Sequence, residues 1–85
     1  MSKYTKAKDR IRTVPADYTY AEMKFLLGKM GFQEYNKGKT SGSRVKFYRK
    51  SDQRIIMLHR PHSGDIVDRG AVEDVVKRLR EWGEL

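Results

Sequence analysis

Residues 43–60 read SRVKFYRKSDQRIIMLHR. The stretch Ser43 to Lys50 alternates: Val45 and Phe47 fall on one face, and Arg44, Lys46 and Tyr48 on the other, the period of a half-buried strand. Ser51-Asp52-Gln53 reads as a turn. Arg54 to Arg60 then carries Ile55, Ile56, Met57 and Leu58, a run short enough for a well-buried strand. A connection this tight between two strands predicts an antiparallel hairpin, because parallel strands need a long crossover.

Working outward, Phe32 to Lys37 predicts a short, half-polar strand, joined to the hairpin by a Lys/Thr/Ser/Gly loop over residues 38–42. Before it, Thr19-Tyr20-Ala21-Glu22 is a capping box, in which hydroxyl and carboxylate satisfy each other's backbone amides. Tyr18 and Met23 stand at hydrophobic-staple positions. Met23, Leu26, Leu27 and Met30 make one apolar stripe, and Gly31 supplies a left-handed cap, so a helix is predicted over about 20–30. On the other side, residues 61–68 form a loop containing Ile66-Val67. Asp68 can cap a last helix bearing Val72, Val75, Val76, Leu79 and Trp82 at helical spacing, ended by Gly83. Tyr4, Ala7, Ile11 and Val14 add a short N-terminal helical pattern stopped by Pro15.

The expected fold is α+β: an α-β-β-β-α order, with a three-stranded antiparallel sheet and two helices on one face, plus the short N-terminal helical segment. The expected division is a basic arm over residues 1–15 and a single domain over 16–85. A chain of 85 residues supports one small core. It has no cysteine, which removes disulfides, thiol nucleophiles and cysteine-based zinc sites. No long apolar run can span a membrane, and the first residues lack the apolar stretch of a secretory signal, so a cytoplasmic setting is expected. There is no GxGxxG or Walker-type loop, and no cofactor or metal is expected.

Charge points to the partner. The formal net charge is +8. It concentrates in residues 35–63, where Lys37, Lys39, Arg44, Lys46, Arg49, Lys50, Arg54 and Arg60 face a single acid, Asp52. The segment 1–14 adds five bases against one acid. Such clustering favours a polyanion, above all nucleic acid. Residues 37–46, KGKTSGSRVK, offer bases, hydroxyls and glycine amides that suit phosphate, with Lys37, Lys39, Ser41, Ser43 and Lys46 as candidate contacts and Arg60 beside them. An ordinary hairpin loop would use the same residue types. Tyr35 and Tyr48 are the tyrosines best placed to stack on bases from an exposed sheet face.

The two histidines, His59 and His62, lie in Leu58-His59-Arg60-Pro61-His62. Imidazole titrates near neutrality and can take a proton from a 2′-hydroxyl or return one to a leaving oxygen. A neighbouring guanidinium would stabilise the charge that develops on phosphorus oxygens. A histidine that merely packs at a strand end would look the same in sequence.

The order of these features resembles the HicA family of toxins over about Tyr18 to Leu85. The resemblance rests on a helix ending Lys29-Met30-Gly31-Phe32, a Gly42-Ser43 step into the second strand, His62 after the third strand, and a last helix ending Trp82-Gly83. It implies a double-stranded-RNA-binding-domain-like fold, endoribonuclease action on mRNA, inhibition of translation, and neutralisation by a HicB-type antitoxin. Members usually carry a catalytic histidine just after the Gly-Ser step, whereas this chain has Arg44. Three alternatives follow: proton transfer by His59 or His62, a weaker activity supported by Arg44, or RNA binding without cleavage. An acidic HicB-like partner is expected to cover Lys39, Arg44, His59 and His62.

Overall fold

The computed structural model describes residues 2–35, 44–59 and 64–85. Its elements are α1 (Lys3–Arg12), α2 (Tyr20–Lys29), β1 (Gln33–Tyr35), β2 (Arg44–Arg49), β3 (Arg54–His59) and α3 (Arg69–Glu81). The strands form one antiparallel sheet in the order β1-β2-β3, the expected meander. The α+β class and the α-β-β-β-α order therefore hold, with α1 as a third helix ahead of them.

Local chemistry sets each helix boundary. At α2, the Glu22 amide donates to Thr19 Oγ1 at 3.0 Å, and the Thr19 amide donates to Glu22 Oε1 at 2.9 Å. Both staple residues, Tyr18 and Met23, are fully buried. The helix ends where Gly31 turns to φ +98°, letting the Phe32 amide donate back to the Leu27 carbonyl at 2.9 Å. A Cβ on Gly31 would also stand 3.2 Å from the Arg49 side chain, so both conformation and space call for glycine. Asp68 caps α3 by accepting from the Gly70 amide at 3.0 Å. Gly83, at φ +76°, ends the last turn, and the Glu84 amide donates to the Leu79 carbonyl at 2.8 Å. Ser2 caps α1 in the same way, accepting from the Thr5 amide.

One core unites the layers. Val45 and Phe47 from β2, Ile56 and Leu58 from β3, Met23, Leu26 and Leu27 from α2, and Val72, Val75, Val76 and Leu79 from α3 are buried together. Ala7 and Ile11 of α1 join the same cluster, because α1 packs on α2 and α3. The loop pair splits as a strand would: Val67 is buried while Ile66 is exposed and makes an isolated antiparallel bridge with Thr19. Trp82 stacks on Phe32 at 6.1 Å, closing the C-terminal end of α3 against the start of β1.

Strand β3 departs from the well-buried strand expected of it. The run Ile55-Ile56-Met57-Leu58 is not buried on both faces. Ile56 and Leu58 enter the core, but Ile55 is 40% and Met57 49% exposed. All described helices lie on one side, so each strand buries one face only, as antiparallel sheets allow.

Candidate functional site

The uncovered sheet face can be built from the strand register. Gln33, Tyr48 and Ile55 form one cross-strand row; Tyr35, Lys46 and Met57 form the next; Arg44 and His59 pair in a third. Side chains alternate along a strand, so these positions share one parity, opposite to that of Val45, Phe47, Ile56 and Leu58. Gln33, Tyr35, Lys46, Ile55, Met57 and His59 are exposed and Tyr48 is half-buried. None of the eight positions is acidic.

The register thus places two of the expected catalytic residues opposite each other: Arg44 opens β2 where His59 closes β3. Both stand at the strand ends nearest the two long connections. Lys46, an expected phosphate contact, lies in the adjacent row, with its Nζ 5.5 Å from the centre of the Tyr35 ring. That geometry is a cation–π contact across β1 and β2. The other expected residues, Lys37, Lys39, Ser41, Ser43, Arg60 and His62, lie outside the described residues. Among the described residues, no group of three histidine, cysteine or acidic side chains could hold a metal ion, and no helix is long and apolar enough to cross a membrane.

Two bases of the positive segment have other duties. Arg49 is on the core-facing parity of β2 and only 9% exposed. Its guanidinium donates to both Asp52 oxygens at 3.0 and 2.7 Å, to Glu84 Oε2 at 2.9 Å and to the Met30 carbonyl at 2.9 Å. Hydrogen bonding to Asp52, then to Glu84, raises the Arg49 pKa despite burial; the same bond lowers that of Asp52. Arg54 sits over the Trp82 ring at 4.9 Å and contacts Asp52 at 3.3 Å. The sequence counted both as free positive charge.

Sequence reasoning missed the apolar part of this face. The four-residue apolar run of β3 predicts burial for Ile55 and Met57, which the sheet leaves exposed. The signal was available in the arrangement rather than in the strand: two helices on one side of a three-stranded sheet leave the other side open, so every second residue of β3 must be exposed. Together with Tyr35, these residues make an apolar, basic surface beside the Arg44–His59 pair.

Comparison with protein families matches residues 20–81 to the family described as the HicA toxin of bacterial toxin–antitoxin systems. The match runs from the first residue of α2 to the last of α3 and so includes the whole sheet. Comparisons with curated proteins and with solved structures returned no match.

Proposed function

This chain belongs to the HicA toxin family of bacterial toxin–antitoxin systems, and we propose that it acts there as an endoribonuclease on mRNA, inhibiting translation until a HicB-type antitoxin neutralises it. The observation that carries the reading is the Arg44–His59 pair at one end of an open, acid-free sheet face, within the matched region. A +8 chain needs little else to attract a polyanion.

In this reaction the 2′-oxygen bonds to the adjacent phosphorus as the bond to the 5′-oxygen breaks. His59 takes the 2′-hydroxyl proton, and His62 is the candidate to return a proton to the leaving 5′-oxygen. Arg44 stabilises the negative charge that builds on the phosphoryl oxygens. Lys46 holds a neighbouring phosphate, joined by Lys37, Lys39, Ser41, Ser43 and Arg60. This division of labour replaces the histidine usual after the Gly-Ser step with one supplied by the facing strand.

That same replacement supports a second reading, a non-catalytic RNA-binding domain that keeps the fold and the charge. Purified protein incubated with unstructured RNA in chelator separates the two. Products ending in 2′,3′-cyclic phosphate support the nuclease. Retention of RNA without cleavage, at every pH from 5 to 9, supports the binding domain.

A further inference from the structure

We infer that the row Tyr35–Lys46–Met57 is a subsite for one unpaired RNA base flanking the phosphate held at Arg44–His59, an assignment that rests on the nuclease or RNA-binding reading above. Three observations converge on it. Tyr35 is 40% and Met57 49% exposed, on the two edge strands, with Lys46 between them. With Ile55 in the adjoining row they form a contiguous apolar patch, the kind of exposed surface that marks an interaction site. The Lys46 ammonium sits over the Tyr35 ring, so a cation that can meet phosphate is held beside a ring that can meet a base. And the row is next to the Arg44–His59 row, one strand repeat of about 7 Å away.

The occupant is identified by the chemistry. A base offers a flat apolar face to Tyr35 and Met57, while its own phosphate is anionic and suits Lys46. The adjoining rows contribute Tyr48, Gln33 and Ile55 and no carboxylate, so nothing on this face repels a phosphate chain. An apolar protein surface would fit Ile55 and Met57 but would leave Lys46 without an anion. A duplex keeps its bases stacked on each other, so the subsite selects unpaired RNA. Because stacking accepts every base, Tyr35 sets single-strandedness and grip rather than sequence.

The test uses the full chain and a fluorescein-labelled, 2′-O-methyl oligoribonucleotide of about ten residues. Without a free 2′-hydroxyl it cannot be cut, so binding is read separately from cleavage. Stacking of one base is worth about 5- to 150-fold in affinity. Tyr35→Ala should lose that much with the salt slope unchanged, Tyr35→Phe should bind like the parent, and Met57→Ala should lose a smaller factor. An abasic version of the oligonucleotide should bind parent and Tyr35→Ala equally. A measurement on the unmutated protein guards against a fold change: the Tyr35 ring proton resonances should move upfield as oligonucleotide is added. Parent-like binding by Tyr35→Ala, with Tyr35 resonances unmoved while the oligonucleotide binds, would overturn the subsite and leave the RNA reading intact. Loss of affinity for an acidic antitoxin but not for RNA would also overturn it, making the face a protein-docking surface. Failure of the parent to bind the oligonucleotide at low salt would instead sink the RNA reading itself.

Discussion

Arg49, in the middle strand, and Glu84, just past the end of α3, are joined by a 2.9 Å ion pair that fastens the segment after α3 to the sheet. The same guanidinium grips Asp52 in the β2–β3 turn and the carbonyl that ends α2. One side chain thus ties together a strand, a turn, a helix end and the segment after α3. It also lies over the Phe32 ring at 4.7 Å, so its burial is shared between charge and packing.

Replacing Arg49 should therefore damage the fold, not the RNA site. Arg49→Ala takes this donor from Glu84 and the Met30 carbonyl and leaves Asp52 with only its longer contacts to Arg54. Both carboxylates keep some exposure to water, so the cost should be about 2–3 kcal/mol, at or below the lower end for broken buried pairs. Arg49→Lys should not restore it, because an ammonium cannot supply the planar fork that meets Asp52 twice. Glu84→Ala should cost less, about 1 kcal/mol, since Asp52 still holds the arginine. Thermal melts check all three; equal stability of Arg49→Ala and parent would refute the anchoring role.

His59 is expected to behave in the opposite way. It is exposed at the end of β3, so His59→Ala should cost less stability than Arg49→Ala. As an acid–base group it should lose roughly 10²–10⁴ in cleavage rate. Rates on unstructured RNA, measured alongside affinity for the non-cleavable oligonucleotide, separate catalysis from binding. An unchanged rate would move the proton transfer to another group.

Gln53 offers a stabilising change. It closes the β2–β3 turn at φ +57°, in the left-handed region, and it is exposed. A side chain there costs roughly 1 kcal/mol relative to glycine. Gln53→Gly should raise the melting temperature by about 4–8 °C, the scale for a domain of this size. A lower melting temperature would show that the glutamine side chain contributes more than its backbone strain costs.

How much of this was legible in the sequence depended on whether neighbours in the chain or neighbours in space decided the outcome. The α2 cap, its Gly31 stop and the α3 stripe are local patterns, and each appears where its residues predict it. The Arg44–His59 pairing follows from hairpin register, but only once the turn length is fixed by Asp52 and Gln53. Arg49 was opaque, because its role needs Glu84, 35 residues away. Ile55 and Met57 were misread because a four-residue apolar run has no periodicity of its own. Which two of the four face water depends on where the helices pack.

Acid should unfold the protein through a small set of carboxylates. Burial alone would raise the Glu22 pKa, but hydrogen bonds from Arg10 and Thr19 overcome it and hold it below its usual 4.5. The Asp52 pKa is likewise held below 3.8, chiefly by Arg49. A carboxylate with a depressed folded pKa contributes stability at neutral pH that is lost as pH falls from the unfolded value through the folded one. The contribution of these two carboxylates should thus be level from pH 7 to 5 and decline beneath about pH 4.5. Glu22→Gln should melt lower than the parent at pH 7 and approach it near pH 2. Parallel curves over the whole range would mean that Glu22 does not couple folding to protons.

Helix α1 precedes the matched family region yet enters its core. Ile11 is fully buried, and the buried Tyr18 hydroxyl donates to the Ala7 carbonyl at 3.3 Å. Arg10 reaches across to Glu22 of the α2 capping box at 2.7 Å and to Asp17 at 3.0 Å. Removing the helix would uncover Tyr18, leave its hydroxyl without that carbonyl and take the cation from Glu22. Ile11→Ala should cost about 2–5 kcal/mol, the range for a large buried aliphatic side chain. Deleting residues 1–15 should cost at least as much and expose apolar surface, read as a lower melting temperature and as binding of a hydrophobic dye. Lys6→Ala, on the exposed side of α1, should leave the melt unchanged and so serves as the control. If the 16–85 fragment melts cooperatively at the parent's temperature, α1 is a separable basic arm and not part of the folding unit.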